Sequence, residues 1–260
     1  MLKKIKYKNT AWVDLTNPSR EEVSELTAEY DLPTLTEDEL LHPSHRAKID
    51  WTNDHLYLVL HFPLSENSLT EIDFLIGRDF LITVHYQAVP ALMEFAQILD
   101  GGDHGKRKKE ENFHAGHLFY YMIRELYNPL EENLESLQRK LRQIGDQIAA
   151  ANETETVRGL AVINRQILDI RRSIEPQKEI FRLLGEVGLK LYGAQFSPYA
   201  RALFAEQTHL SGLIKNNCEI FAELGQTNQS LLLIKTGRRL QLLIFLTAGC
   251  LAAIILSLIV

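Results

Sequence analysis

The sequence predicts an α+β domain that feeds a long stalk helix, which in turn runs into a membrane-spanning helix. Three observations carry this. Short strand-like stretches crowd residues 11–86, with the period-two or continuous apolar patterning of a sheet. Two long segments after residue 113 repeat apolar residues every three or four positions, the period of amphipathic helices. No proline occurs after Pro198, and the last 21 residues, Leu240 to Val260, contain no charge. At 1.5 Å per residue that final stretch spans about 32 Å, close to the hydrocarbon thickness of a bilayer.

The elements follow in order. Residues 11–15 read as a short strand. Pro18 and Ser19 open a helix whose first turn carries Glu21 and Glu22, where acidic groups suit the helix dipole. Thr36 is a candidate cap for a short helix over residues 37–41. Ala47–Trp51, Leu56–Phe62, Glu71–Ile76 and Phe80–Tyr86 read as strands, the last two joined by a hairpin-like Gly77-Arg78-Asp79. Together they predict a small, mostly antiparallel sheet, which needs helices on its apolar faces. A helix over residues 89–99 and a basic Gly-rich loop over residues 101–109 complete a cytoplasmic α/β domain at residues 1–110.

Residues 111–191 are expected to form a helical hairpin, turning at residues 151–156, with Pro129 and Pro176 as interruptions. Ser197 and Pro198 have the form of a helix cap and pre-set first turn. From there a stalk helix is expected over residues 198–239 and a transmembrane helix over residues 240–260. Leu203, Leu210, Ile214, Asn217, Phe221, Leu224, Asn228 and Leu231 recur at roughly heptad spacing, and such a seam requires a partner surface. The sequence-level expectation is that this seam meets copies of itself around an axis, with Asn217 and Asn228 turned toward it. A coiled-coil stalk holding a scaffold on a membrane has the same periodicity.

Composition narrows the function. The net charge is -6, and the only basic cluster is Lys106 to Lys109, which argues against a nucleic-acid partner. The two cysteines, Cys218 and Cys250, make no disulfide framework. The N-terminal residues lack the apolar stretch of a signal peptide, and Lys235, Arg238 and Arg239 precede the uncharged span. By the positive-inside rule everything upstream lies in the cytoplasm, with the anchor in the cell's inner (plasma) membrane. No phosphate-binding Gly-rich loop, zinc-protease helix motif or nucleophile elbow occurs, so the chain does not read as an enzyme. His55, His61 and His85 offer no matched third ligand, and among His104, His114 and His117 only the last two are close in spacing.

The stretch from Phe74 through Gly77, Arg78, Asp79 and Phe80 to His85 resembles the cytoplasmic hairpin of the CorA family of divalent-cation transporters. Ile170-Arg171-Arg172-Ser173-Ile174-Glu175-Pro176-Gln177-Lys178-Glu179 is similar to that family's Leu-Arg-Arg…Pro-x-Arg-Glu helix, and Ser197-Pro198-Tyr199 falls where its stalk begins. The resemblance implies a homo-oligomer, a pentamer, that conducts divalent cations across a lipid membrane: magnesium, or cobalt, nickel or zinc. Magnesium is then cargo, with a regulatory role in relatives. It implies a pore face of Gly237, Leu240, Ile244, Thr247, Leu251, Ile254 and Leu258. It also implies a Gly-Met-Asn motif and second span following near Val260. The family's regulatory acidic position matches Ala202, with Glu206 one turn on. The alternative is a non-transporting, membrane-anchored oligomeric scaffold or a degenerate relative.

Overall fold

A computed structural model describes residues 2–44, 46–52, 54–65, 68–100, 112–149 and 153–259, with the side chains of the last helix described as far as Leu251. Six strands form one mixed sheet: β1 (Leu2–Tyr7), β2 (Thr10–Thr16), β3 (Lys48–Trp51), β4 (Leu56–Ser65), β5 (Ser68–Ile76) and β6 (Phe80–His85). Their order across the sheet is β1-β2-β6-β5-β4-β3. Every pairing is antiparallel except β2 with β6, which is parallel. β1 was not expected from the sequence. Its lysines hide a period of two: Ile5 and Tyr7 are buried while Lys3, Lys4 and Lys6 stay in solvent, a common way to blunt an edge strand.

Helices cover both faces of the sheet. On one face α1 (Arg20–Glu29) and α2 (Thr34–Leu41) lay Val23, Leu26 and Leu40 over Val13, Leu15, Val59, Leu75, Ile82 and Val84. Burial on both faces is why Leu56–Leu60 is continuously apolar rather than alternating. α1 starts with a full capping box: the Glu22 N–H donates to Ser19 Oγ at 3.2 Å, and the Ser19 N–H donates to Glu22 Oε2 at 3.0 Å. α2 begins earlier than expected, after Pro33, so Thr36 is a buried first-turn residue rather than the cap.

The opposite face carries α3 (Pro90–Asp100), α4 (Ala115–Ala149), α5 (Glu153–Ile174), α6 (Gln177–Tyr192) and α7 (Ser197–Ile259). Trp12, Leu58, Leu60, Phe74 and Leu81 from the sheet merge there with Phe95, Phe119, Phe181 and Leu203 into one core. α4 continues through Pro129. Pro176 does break the next helix, separating α5 from α6. The freed polar groups at this joint are satisfied by two buried glutamines. Gln177 Nε2 donates to the carbonyls of Ser173 and His61 at 3.1 and 2.7 Å, and its Oε1 accepts from Tyr127 at 2.5 Å. Gln207 Nε2 of α7 donates to the Ile174 carbonyl at 3.0 Å.

α6 turns into α7 through Gly193, at φ 81°, and a 3-10 turn over Ala194–Phe196. Ser197 is therefore already helical, at φ -52° and ψ -39°, and not an extended cap. α7 is 63 residues long, about 95 Å at the usual rise. Contacts place it parallel to α4: Arg124 meets Glu206, Asn217 bonds Leu134, and Gly145 lies under Leu224. α4 and α5 run antiparallel, with Gly159 against Ile144 and Lys140 near Gln166. Among the described residues no helix is long and apolar enough to cross a membrane. The expected span at 240–260 is described in its side chains only to Leu251, and the remainder lies outside them.

Candidate functional site

α7 has two faces with different environments. One is sealed inside the protomer. Leu203, Leu210, Ile214 and Asn217 are at most 2 % exposed, and Phe221, Leu224 and Leu231 extend the same seam, half-buried against the core. The heptad-like spacing thus has its partner surface within the chain, chiefly on α4, α5 and α6. This corrects the expectation that the seam meets copies of itself.

Asn217 moves with that correction. Its Nδ2 donates to the Leu134 carbonyl at 3.1 Å, and its side chain faces α4 rather than any axis shared between copies. Its Oδ1 has no hydrogen-bond partner among the described residues. Asn228 lies on the same seam, half-buried. Nine residues separate Asn228 from Gly237, which at about 100° per residue is half a turn out of phase. The sequence reading therefore joined two opposite faces of one helix.

The other face is open to solvent. Glu223, Ser230, Gly237, Ile244 and Leu251 follow each other at intervals of seven, flanked by Gly212, Glu219, Gln226, Leu240 and Thr247, and all are exposed. Up to Ser230 the face is polar, with Lys215 standing 3.8 Å from Glu219 in an exposed pair. Beyond the basic residues Lys235, Arg238 and Arg239 the helix is apolar on every side: Leu240, Leu242, Leu243, Ile244, Phe245, Leu246 and Leu251 are each more than half exposed. Ile254 and Leu258 lie outside the described side chains. Lys235 and Arg239 follow Asn228 by seven and eleven residues, nearly whole turns, so the basic collar stands opposite Gly237.

Ala202 is half-buried, and Glu206 is held inside the protomer by Arg124 at 3.2 Å. The histidines are dispersed into separate local contacts. His55 Nδ1 is 3.1 Å from Thr52 Oγ1, His61 Nε2 is 2.9 Å from Glu71, and His85 Nε2 is 3.2 Å from Asp14. The His114 and His117 rings do meet, with centroids 3.8 Å apart, while His104 and the basic loop at 101–109 lie outside the described residues. His114 stacks on Tyr192 at 4.2 Å, and burial followed by the neighbouring His117 pushes its pKa down to about 3, so the ring is neutral. Among the described residues no group of three or more His, Cys, Asp or Glu is placed to hold a metal ion.

Burial raises the carboxyl of Asp73 well above the usual range, with the nearby Glu71 adding to it; Tyr57 donates to its Oδ2 at 3.2 Å. Sequence reasoning missed this group, and also Gln177 and Gln207. The available signal was a polar residue on the inward phase of an apolar repeat beside Pro176.

Comparison with known proteins agrees with this architecture. The family model described as "CorA-like Mg2+ transporter protein" matches residues 7–256. A Bacillus subtilis (strain 168) protein, YfjQ, whose name assigns it to metal ion transport, is 20 % identical over 215 residues; the match covers 82 % of this chain and 66 % of that protein. The complete structure of the CorA magnesium transporter from Methanocaldococcus jannaschii superposes with a TM-score of 0.79 at 17 % identity, covering 94 % of this chain and 77 % of that one. The soluble domain of the same archaeal protein gives a TM-score of 0.73 at 16 % identity, covering 86 % and 89 %. The fold is thus shared with these structures, and with a family match over nearly the whole length the chain belongs to the CorA-like Mg2+ transporter family.

Proposed function

We propose that this chain is a subunit of a homo-oligomeric divalent-cation channel, with magnesium as the cargo and five copies around the axis. The observation that carries it is the end of α7: an apolar helix exposed on all sides, continuous with a stalk whose other half is packed into its own protomer. Such a surface requires lipid and further helices to cover it. In this reading residues 240–260 enter the plasma membrane and the α/β part remains cytoplasmic, with Lys235, Arg238 and Arg239 at the headgroups.

The face turned to the axis is the open one. Glu219, Glu223, Gln226 and Ser230 would line the cytoplasmic approach, with oxygen ligands suited to a hard, hydrated dication. Gly237, Leu240, Ile244, Thr247 and Leu251 continue it, and Ile254 and Leu258 complete the same apolar segment. A constriction of that kind gates by wetting and drying. Asn217 and Asn228 are left out of the pore, and the basic collar no longer conflicts with cation passage because it stands on the opposite side of the helix.

Two measurements test this. Native mass spectrometry in detergent should give a pentamer. Proteoliposomes holding the protein, carried through any residues its gene encodes beyond Val260, should take up Mg2+ faster than empty liposomes, and Glu223→Gln should slow the uptake. A well-formed oligomer without flux would favour the membrane-anchored scaffold instead.

A further inference from the structure

We propose that the cavity between the β4–β5 hairpin and the α5–α6 joint binds a nucleotide-sized organic phosphate. The cavity has a volume of about 700 Å³. Two arginines line it, Arg46 from the segment before β3 and Arg172 from the last turn of α5, together with His61, Glu71, Tyr86 and Gln87. Both arginines are exposed, and among the described residues neither guanidinium makes a hydrogen bond or ion pair. The neighbouring Arg171 behaves differently: it points out of the cavity and meets Glu175 at 2.8 Å.

Among the described residues Glu71 is the one acidic group in the wall, and neither arginine pairs with it. Glu71 accepts from the Ser44 N–H at 2.7 and 3.0 Å and sits 2.9 Å from His61 Nε2, so its carboxylate is turned to those partners. Gln87 is fixed by its bond to the Leu69 carbonyl at 3.1 Å. What remains open is a recess with two planar cationic forks, the geometry that suits bidentate recognition of phosphate. Pro43, Ala47, Leu69 and Pro176 form an apolar wall beside them. The volume falls within the range of small-molecule sites and is far larger than one phosphate ion fills. An apolar wall next to a pair of arginines therefore fits a phosphate attached to an organic body. Because the cavity joins the sheet to the Pro176 break, an occupant would brace the two against each other.

The test is calorimetric titration of the full chain in detergent with AMP and ATP, in chelator so that no metal bridges the ligand. Saturable binding is expected. Arg46→Gln and Arg172→Gln should each weaken it about tenfold, while Arg171→Gln leaves it unchanged. The exposed positions of all three allow the variants to fold, which circular dichroism verifies. Absence of binding at about 1 mM nucleotide, or equal binding by the two cavity variants, would overturn the proposal. Inorganic phosphate binding as tightly as AMP would remove the organic body, and short-chain phosphatidic acid displacing AMP at equal affinity would make the source a lipid headgroup; either result also overturns it.

Discussion

Replacing Gln177 by Leu tests how the sheet is held to the helical layer. Gln177 is fully buried and sits directly after the break at Pro176. The substitution keeps the approximate volume but removes three hydrogen bonds, to Tyr127, to the His61 carbonyl of β4 and to the Ser173 carbonyl of α5. A net hydrogen bond contributes about 1 kcal/mol, and a buried group left without its partner costs about 1–3 kcal/mol. Three bonds therefore put the loss at about 3 kcal/mol or more. For a chain of this size that corresponds to a fall in Tm of about 6–12 °C. Thermal unfolding followed by circular dichroism measures it, with Tyr127→Phe as the companion variant. Tyr127→Phe removes one bond and should cost about 1 kcal/mol, and the double variant should fall short of the sum because the two share that bond. A Tm within about 2 °C of the parent for Gln177→Leu would refute the reasoning and would mean that water replaces the side chain at the joint.

Three further outcomes are expected. The Asp73 carboxyl is held above its unfolded value by burial, so its contribution is fully present below about pH 4 and is lost as pH rises toward the folded value. Urea unfolding of Asp73→Asn should accordingly lose less stability than the parent between about pH 5 and about pH 8, and parallel pH slopes would contradict this. Leu210→Ala, on the sealed face of α7, should cost about 2–5 kcal/mol, whereas Thr208→Ala on the open face should stay within about 0.5 kcal/mol; equal costs would undo the assignment of faces. Ser19→Ala removes the side-chain half of the capping box and should cost about 1 kcal/mol, read as a shift in the urea midpoint at constant slope.

Most of the architecture was legible in the sequence because its signals are local. Five of the six strands, the helix start at Pro18-Ser19, the break at Pro176 and the unbroken helix from Pro198 are each set by a few adjacent residues. What was not legible depends on partners distant in sequence. β1 is half lysine, and only its place beside β2 shows that Ile5 and Tyr7 alone need burying. The parallel pairing of β2 with β6 joins strands separated in the chain by α1, α2 and the β3–β5 meander, and it leaves no mark on either strand. At the candidate site the same limit had a sharper effect. The spacing of Leu203, Leu210, Leu224 and Leu231 states that a partner surface exists but not whose it is, and here α4 and α5 of the same chain supply it. Asn217 followed its neighbours into the protomer. The polar stripe of Glu219, Glu223, Gln226 and Ser230 carries no hydrophobic period, so it drew no attention until the apolar side was accounted for.

The central claim is that the open face of α7, and not its heptad seam, turns toward the axis of the assembly. Cysteine pairs in membranes test it directly. With Cys218 and Cys250 first replaced by Ser, the double variant Glu223→Cys/Ser230→Cys, treated with a short bifunctional thiol reagent, should give a ladder of bands beyond dimer and up to pentamer, while Asn228→Cys/Leu231→Cys should remain monomeric because that seam packs into its own protomer. A ladder from Asn228→Cys/Leu231→Cys with none from Glu223→Cys/Ser230→Cys would contradict the account.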